Sequence, residues 1–277
     1  MRTRRVSVFA LLALLAVASA CSKKDESAPA AGPAGAAGDA AALIKDARLV
    51  APGKLTVCSD IPYAPFEFND KASGDRLTGF DVELVRAIAA QLAVSADFKT
   101  TPFDAIIPSL AAGNCDMVAS ATTITDERKQ KVAFTQPYFD ADQSLLIRAA
   151  DKDRYKRLTD LKGKTIGVQS ATTGETYAKA NTPAGATVKD FPGADDLFNA
   201  LTSGDIDAVL QDFPVNKYRA LKAPEQFAVT ETFKTGEQYG FAVAKDNPHL
   251  VAALDAALAS ARQSGDYDRI YKAWFGE

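Results

Sequence analysis

The sequence contains few of the residues on which most hydrolytic and metal-dependent enzymes rely. Its 277 residues include three cysteines and one histidine, and this residue, His249, stands near the start of a predicted helix. The chain has neither a Cys/His cluster with metal-ligand spacing nor a Gly-x-Ser-x-Gly motif. We therefore expect no metal, no cofactor and no nucleophilic catalysis. A carboxylate such as Glu67 stays open as a general acid or base.

The chain also lacks an excess of basic residues. It has 32 Lys and Arg against 35 Asp and Glu, a formal net charge of −3 at pH 7. Because nucleic-acid binding needs a basic surface, we expect no nucleic-acid partner. Hydrophobic residues make up 47% of the chain, which suffices for a packed core, and the length suits two lobes.

The N-terminus lacks a hydrophobic run long enough to span a bilayer stably, but it has the layout of an export signal. Three arginines, at positions 2, 4 and 5, precede an apolar run at residues 6–18, which has the length of a signal-peptide core. We expect residues 1–20 to be removed on export. The mature chain then carries about −6, because this segment holds three Arg and no acidic residue.

Two ways of processing this signal remain open. Ala18-Ser-Ala20 fits an ordinary small-residue cleavage site, whereas Ala20-Cys21 resembles a bacterial lipobox, in which Cys21 is lipidated and becomes the mature N-terminus. We favour the lipoprotein, because Cys21 follows the cut directly and a stretch rich in Ser, Lys, Ala, Gly and Pro comes next. Residues 21–48 are therefore predicted to be a lipid anchor and a flexible tether.

The other two cysteines are predicted to be buried free thiols, although export favours disulfides. Cys58 lies near the end of the predicted strand Leu55–Val57, and Cys115 lies at the start of its own strand. On parallel neighbouring strands they would be about four residues, or on the order of 13 Å, apart. A disulfide needs Cα atoms within roughly 7 Å.

Two stretches, 104–118 and 195–209, share Asp, an apolar residue, Leu, Gly, Asp and Val at the same spacing. Each is predicted to form a helix that ends at Gly and is followed by a short buried strand. Arg128 follows the first strand and Asp212 ends the second. Open α/β sheets bind ligands at the carboxyl ends of strands, so two such units facing each other suit a ligand with both charges, such as an amino acid.

Other segments add polar groups to the predicted strand ends. In the loop from Cys58 to Phe68, two prolines exclude a helix and leave aromatic and acidic groups displayed. Asp81 is predicted to cap the next helix.

The run Ser170–Gly174 leads from a buried strand into a helix, which predicts an anion site at the helix start. The chain is predicted to cross between two lobes twice, which makes a hinge.

Five motifs, in this order along the chain, together resemble the polar amino-acid-binding proteins of bacterial ABC importers, which are family 3 extracellular solute-binding proteins. The resemblance runs from about Lys54 to the C-terminus. The motifs are Asp60-Ile-Pro-Tyr-Ala-Pro-Phe-Glu-Phe68, Thr78-Gly-Phe-Asp81, Phe103-Asp-Ala-Ile-Ile-Pro-Ser-Leu110, Ile124-Thr-Asp-Glu-Arg128 and Gly265-Asp-Tyr267.

The resemblance implies a fold and a set of binding residues. The fold is α/β, of the type II periplasmic-binding-protein class, with lobe 1 at residues 49–148 plus 236–277, lobe 2 at residues 149–235 and a two-segment hinge. In this family the arginine that matches Arg128 holds the ligand's α-carboxylate, and the aspartate that matches Asp212 holds its α-ammonium. The whole set of ligand-binding positions implied is Asp60, Tyr63, Phe103, Ser120, Ala121, Thr123, Arg128, Gln169, Thr172, Thr173 and Asp212.

The implied function is that of a monomeric binding protein, not an enzyme, in the periplasm or on the outer face of the cell membrane. It would close around an L-amino acid and deliver it to an inner-membrane ABC permease with its ATPase. Because Asp60 complements a cation or an amide, we expect Arg, Lys, ornithine or His, with Gln next. Two alternatives stay open, an exported enzyme similar to cyclohexadienyl dehydratase on the same fold, and an amino-acid sensor.

Overall fold

The structure is a computed structural model, and it describes residues 40–276. The export signal predicted at residues 1–20 and the lipidation predicted at Cys21 lie outside the described residues. The strands are β1 (Lys54–Ser59), β2 (Phe68–Asp70), β3 (Arg76–Thr78), β4 (Ser95–Thr100), β5 (Met117–Val118), β6 (Ala133–Phe134), β7 (Phe139–Arg148), β8 (Thr165–Gln169), β9 (Thr187–Phe191), β10 (Ala208–Asp212), β11 (Phe227–Tyr239) and β12 (Ala242–Val243).

The helices fall between these strands and after the last of them. They are α1 (Phe80–Gln91), α2 (Phe103–Ala111), α3 (Asp126–Lys131), α4 (Thr173–Asn181), α5 (Ala194–Ser203), α6 (Phe213–Lys222), α7 (Pro248–Ser264) and α8 (Asp266–Phe275). Short 3-10 helices occupy Ile44–Asp46, Lys71–Ser73, Ala149–Asp151 and Leu158–Leu161. Within the described range, no helix has both the length and the apolar character needed to cross a membrane.

Two five-stranded sheets organise the molecule, and we call lobe 1 the elements around the first sheet and lobe 2 those around the second. The first sheet has the order β4-β1-β5-β12-β6, with β1 parallel to β4 and β5. The second has the order β11-β7-β10-β8-β9, with β8 parallel to β9 and β10. The carboxyl ends of parallel strands therefore gather at one edge of each sheet, where ligands bind in such folds.

The repeated helix-strand unit predicted from the sequence is present in both lobes. In lobe 1, α2 leads to β5, and in lobe 2, α5 leads to β10. Gly113 follows the first helix with φ 74°, and Gly204 ends the second with φ 87°. This left-handed backbone favours glycine, which explains why both units share it.

The pairing of β7 with its neighbours indicates where the chain passes from one lobe to the other. Strand β7 pairs along residues 143–147 with β10, so this segment belongs by hydrogen bonding to the second sheet. Nearer its start, Phe139–Ala141 pairs with Glu237–Tyr239 of β11 as a two-stranded ribbon that leads toward lobe 1. The sequence boundary at 148 stays a proposal, and this pairing favours crossings near residues 139–142 and 237–240.

The C-terminal end of the predicted tether is folded, which the sequence did not indicate. Residues 40–43 are helical, and Ala40 and Ile44 are 0% and 8% exposed in the main core. Arg48 accepts a hydrogen bond of 2.8 Å from Asn247 at the start of α7. The stretch as a whole is rich in polar and small residues, but its C-terminal end contains apolar residues at helical spacing. These apolar residues are buried in the core.

Asp81 does not cap α1, contrary to expectation. Gly79 is the N-cap, and a Cβ at Gly79 would collide with the carbonyl oxygen of Phe66. The close passage of these two chain segments therefore requires glycine at the cap position. Asp81 lies in the first turn, fully buried, and accepts hydrogen bonds from other parts of lobe 1.

Cys58 and Cys115 form a disulfide, so the prediction of free thiols was wrong. Their Cα atoms are 5.8 Å apart. The prediction assumed that Cys115 lies on an extended strand, but β5 begins only at Met117, and the chain bends at residues 114 and 116. Residues 114–116 therefore do not follow the strand axis, and Cys115 comes within disulfide distance of Cys58. Both cysteines are buried in one apolar cluster with Ile106 and Leu110 of α2.

Candidate functional site

A small cavity of about 10 Å³ lies between the two lobes, at the strand ends of both sheets. Ten of the eleven residues that the sequence motifs implied line it together, and the eleventh, Asp60, is hydrogen-bonded to one of them. The lining residues are Tyr63, Phe103, Ser120, Ala121, Thr123, Arg128, Gln169, Thr172, Thr173 and Asp212.

Arg128 is the cation of this cavity, and its side chain is almost fully buried. It lies in the first turn of α3, where the hydroxyl of Thr125 caps its backbone N–H at 3.1 Å. Its Nη1 donates to the carbonyl of Thr123 at 2.8 Å, and its Nη2 donates to the carbonyl of Ala171 at 3.0 Å. The guanidinium carbon stands 5.2 Å from the ring centre of Phe103. Burial lowers the pKa of Arg128, and nearby carboxylates oppose this.

Asp212 is the anion of the cavity and ends β10. Its Oδ2 accepts hydrogen bonds from the hydroxyls of Tyr63 at 3.0 Å and Tyr239 at 2.5 Å. Its Oδ1 accepts one from Nε2 of Gln143 at 2.6 Å. Burial raises the pKa of Asp212 to about 6, against these hydrogen bonds, which favour the charged form. A carboxylate has about four lone-pair positions, so one remains for a further donor.

Asp60 and Gln169 meet at the edge of the cavity, one from each lobe. Gln169 donates from Nε2 to Asp60 Oδ2 at 2.6 Å and to the carbonyl of Pro192 at 3.1 Å. Both amide hydrogens are thereby used, and the amide oxygen remains an acceptor. Burial raises the pKa of Asp60 to about 6, and the hydrogen bond from Gln169 opposes the rise. This corner therefore offers acceptors for a ligand group that carries several donors.

The start of α4 supplies backbone N–H groups to the cavity. Thr172 is the N-cap, and its hydroxyl accepts from the N–H of Glu175 at 3.1 Å while donating to the carbonyl of Gln169 at 2.7 Å. Thr173 is the first residue of the helix. The helix starts within residues 170–174, as predicted, and the positive end of its dipole and the free N–H groups of this turn favour an anion.

The two lobes are in contact across the cavity, which is the closed arrangement of a hinged protein. Each contact joins a residue of lobe 1 to a residue of lobe 2, and a polar side chain takes part in every one. The pairs are Arg128 with Ala171, Tyr63 with Asp212, Asp60 with Gln169, and the hydroxyls of Thr123 and Thr173 at 3.4 Å.

The sequence did not point to three residues that hold the site together. Gln143 of β7 donates to Asp212 and, at 3.1 Å, to Oε2 of Glu237 on β11. The same oxygen of Glu237 accepts from the hydroxyl of Thr173 at 2.7 Å. Gln143, Glu237 and Tyr239 lie on the hinge strands, in segments whose alternating polar residues are ordinary for a strand, so no sequence signal distinguishes them.

The positions of the described side chains also determine whether they could bind a metal ion together. Across residues 40–276, no group of three or more His, Cys, Asp or Glu side chains is placed to hold a metal ion. The polar groups of the cavity are instead one guanidinium, carboxylates, hydroxyls and amides. Such groups recognise an organic ligand through hydrogen bonds and charge.

This chain is similar to known proteins in both sequence and fold. The model of the bacterial extracellular solute-binding proteins, family 3, matches residues 55–277. The histidine-binding periplasmic protein of Salmonella typhimurium is 34% identical over 232 residues, which cover 81% of this chain and 88% of that protein. The family match includes every residue of the cavity.

Two solved structures share the fold. An ancestral arginine-binding protein bound to glutamine superposes with a TM-score of 0.77 at 41% identity, covering 82% of this chain and all of that one. The ancestral amino acid-binding protein AncCDT-1, a precursor of cyclohexadienyl dehydratase, has a TM-score of 0.75 at 38% identity, covering 80% and 96% of the two chains. The type II fold and the resemblance expected from the motifs are thereby confirmed: the chain belongs to family 3 of the bacterial extracellular solute-binding proteins.

Proposed function

We propose that this protein is the solute-binding component of an ABC importer for polar amino acids, with basic amino acids preferred and glutamine next. One observation carries the proposal. Arg128 of lobe 1 and Asp212 of lobe 2 line the same cavity. An α-amino acid is a small ligand that presents a carboxylate and an ammonium to two such groups at once.

The hydrogen-bonding capacity left at these two residues fits the ends of a zwitterion. Arg128 has five N–H donors and gives two to the carbonyls of Thr123 and Ala171, so its fork can still hold a carboxylate. The N–H groups at Thr123 and Thr173 assist it. Asp212 accepts three hydrogen bonds and has room for one more, from the α-ammonium.

The ligand's side chain lies toward Asp60 and Gln169. A carboxylate and an amide oxygen there favour a cationic or amide-bearing side chain, whereas a Glu or Asp ligand would be repelled. The rings of Tyr63 and Phe103 supply apolar walls for the methylene groups. The related proteins named above bind histidine, arginine or glutamine in their own descriptions, which supports this choice of ligand class.

Closure of the lobes links binding to delivery. Arg128 and Asp212 belong to different lobes, so a zwitterion is held by both only when the cleft is shut. A ligand shifts an open-closed equilibrium by its difference in affinity for the two states. We infer that the closed form is what the permease recognises, and that a lipid on Cys21 keeps the exported protein near the membrane as a monomer. An amino-acid receptor would use the same closed state.

Thermal unfolding of the purified protein with each of the twenty amino acids tests this proposal. A ligand at one hundred times its dissociation constant adds about 2.7 kcal/mol to stability, a rise in Tm of roughly 5–10 °C for a protein of this size. Arg128→Ala and Asp212→Ala should each abolish the shift while the variants stay folded. The exposed residues Arg76 and Asp153 provide the matched controls, Arg76→Ala and Asp153→Ala. Full affinity in either cavity variant would refute the assignment.

A further inference from the structure

Two acidic side chains are fully buried behind the cavity without lining it. Glu67 and Asp81 are both 0% exposed. None of the ion pairs formed within residues 40–276 includes either carboxyl. Burying two carboxylates without a cation is costly, so this pair calls for a physical explanation.

The two carboxyls hold consecutive residues of the cavity wall. The hydroxyl of Ser120 donates to Oε1 of Glu67 at 2.5 Å, and the same hydroxyl accepts the backbone N–H of Asp60 at 3.0 Å. The backbone N–H of Ala121 donates to Oδ2 of Asp81 at 2.9 Å. Ala121 has φ 42°, a left-handed backbone that an alanine rarely adopts. The wall is therefore fixed from behind in an uncommon conformation.

Each carboxyl also has one oxygen that the protein does not satisfy. Oε2 of Glu67 and Oδ1 of Asp81 are buried and receive no hydrogen bond from the described residues. Buried polar atoms are almost always paired, and an unpaired carboxylate oxygen in an apolar interior is unfavourable. One proton placed between two neighbouring carboxyls satisfies both oxygens and removes one of the two buried charges.

We propose that Glu67 and Asp81 share one proton, with Glu67 as the neutral acid donating from Oε2 to Oδ1 of the Asp81 carboxylate, and that this pair positions Ser120 and Ala121 for ligand binding. Asp81 is the charged member because it accepts two hydrogen bonds, from Ala121 N–H and from the hydroxyl of Tyr138 at 2.7 Å. Glu67 accepts only the hydroxyl of Ser120.

The surroundings of the pair support this assignment. The titratable groups that face it are Asp60, Tyr63 and Tyr138, none of which is cationic. Burial, followed by the charge of Asp81, raises the pKa of Glu67 well above its ordinary value, and the hydrogen bond from Ser120 opposes the rise. Burial also raises the pKa of Asp81, against the hydrogen bonds from Ala121 and Tyr138.

Infrared spectroscopy of the ligand-free protein tests the proton directly. At pH 8 the wild type should show the C=O stretch of a neutral carboxylic acid, because the other buried carboxyls that face the cavity, Asp60 and Asp212, have pKa values of about 6 and are ionised there. Glu67→Gln should remove the band, whereas Glu225→Gln, at an exposed glutamate, should leave it. A wild type without the band, or an equal band in Glu67→Gln, would overturn the proposal.

Stability at alkaline pH gives a second readout without ligand. Above the ordinary pKa of glutamate, the unfolded chain has lost a proton that folded Glu67 keeps, so stability falls as pH rises until the folded pKa is passed. Between pH 7 and the folded pKa, the wild-type unfolding equilibrium should shift toward the unfolded state by about tenfold per pH unit. Glu67→Gln should lack this slope, since glutamine does not titrate. Equal slopes in the two proteins would contradict a protonated Glu67.

The positioning role rests on the proposed function and is tested by amino-acid binding. Glu67→Ala leaves Ser120 and Asp81 without their partner, and we expect binding to weaken by about tenfold, the loss of one buried hydrogen bond. Glu67→Gln should recover the affinity, because its amide can donate to Asp81 and accept from Ser120. Equal affinity of wild type and Glu67→Ala would refute positioning. If the wild type bound no amino acid, the proposed function would fail, while the infrared test of the pair would still stand.

Discussion

Acidification should weaken the binding of L-arginine much more than the binding of L-glutamine. Both Asp60 and Asp212 are buried, and burial raises the pKa of each to about 6. In the proposed complex, arginine needs both carboxylates in their charged form, one for its guanidinium and one for its ammonium. Glutamine needs only the charge of Asp212, because an amide can bond to a neutral carboxyl as well.

The size of the effect follows from these pKa values. At pH 5, a group with a pKa of about 6 is ionised in roughly one molecule in ten, so a ligand that needs its charge binds about tenfold more weakly than at pH 7.5. Arginine, with two such groups, should lose about 100-fold, or ~2.7 kcal/mol, and glutamine about tenfold, or ~1.4 kcal/mol. Binding should also release protons near pH 6, since the cation favours the charged carboxylates.

Isothermal titration calorimetry at pH 7.5, 6 and 5, in buffers of different ionisation enthalpy, measures both the affinity and the protons released. The variant Asp60→Asn isolates one group: its loss of arginine affinity on acidification should fall to about tenfold, because only Asp212 still titrates. If arginine and glutamine showed the same pH profile, the pairing of Asp60 with the ligand's side chain would be wrong. If neither affinity changed between pH 7.5 and 5, the assignment of Asp212 to the ammonium would be wrong too.

Three further predictions concern the protein without its ligand or with another one. Because burial raises the folded pKa values of Asp60 and Asp212 to about 6, the stability that these two groups contribute is fully present below pH 3.8 and is lost as pH rises through about 6. In the Glu67→Gln variant, where Glu67 does not titrate, unfolding in urea should therefore give about 1–3 kcal/mol more stability at pH 5 than at pH 7. Reducing the Cys58–Cys115 disulfide, which spans 57 residues, should cost about 4 kcal/mol, and thiol titration of the unreduced protein should find both cysteines blocked. Incubation with prephenate or arogenate should give no turnover above buffer, and measurable turnover would favour the enzyme alternative.

The sequence predicted the parts of this fold whose cause is local. The helix-strand units, whose helices end near Gly113 and Gly204, follow from apolar spacing and a left-handed glycine, both of which depend on nearby residues. The meeting of Arg128, which follows β5, with Asp212, which ends β10, then follows from the general geometry of α/β sheets. The family resemblance implied the remaining cavity residues, including Gln169, which no local pattern singles out.

The features that were missed depend on contacts between distant segments. Cys58 and Cys115 meet because the chain bends before β5, and a strand register assumed from sequence cannot anticipate such a bend. Gln143 and Glu237 acquire their roles only where the hinge strands pass beside the cavity. The helical residues 40–43 were hidden within a stretch of small and polar residues, whose average composition predicted a tether.

The ribbon formed by Phe139–Ala141 and Glu237–Tyr239 determines how the lobes can move. Two hydrogen-bonded chain segments resist stretching and shear, so we expect them to bend as a unit. The two lobes then have essentially one mode of motion, rotation about this hinge. We expect the hydrogen bonds between the lobes to form and break together in this motion, so that capture of a ligand is all-or-none. We therefore expect the ligand to dissociate with a single rate constant, equal to the rate at which the ribbon bends and the lobes open.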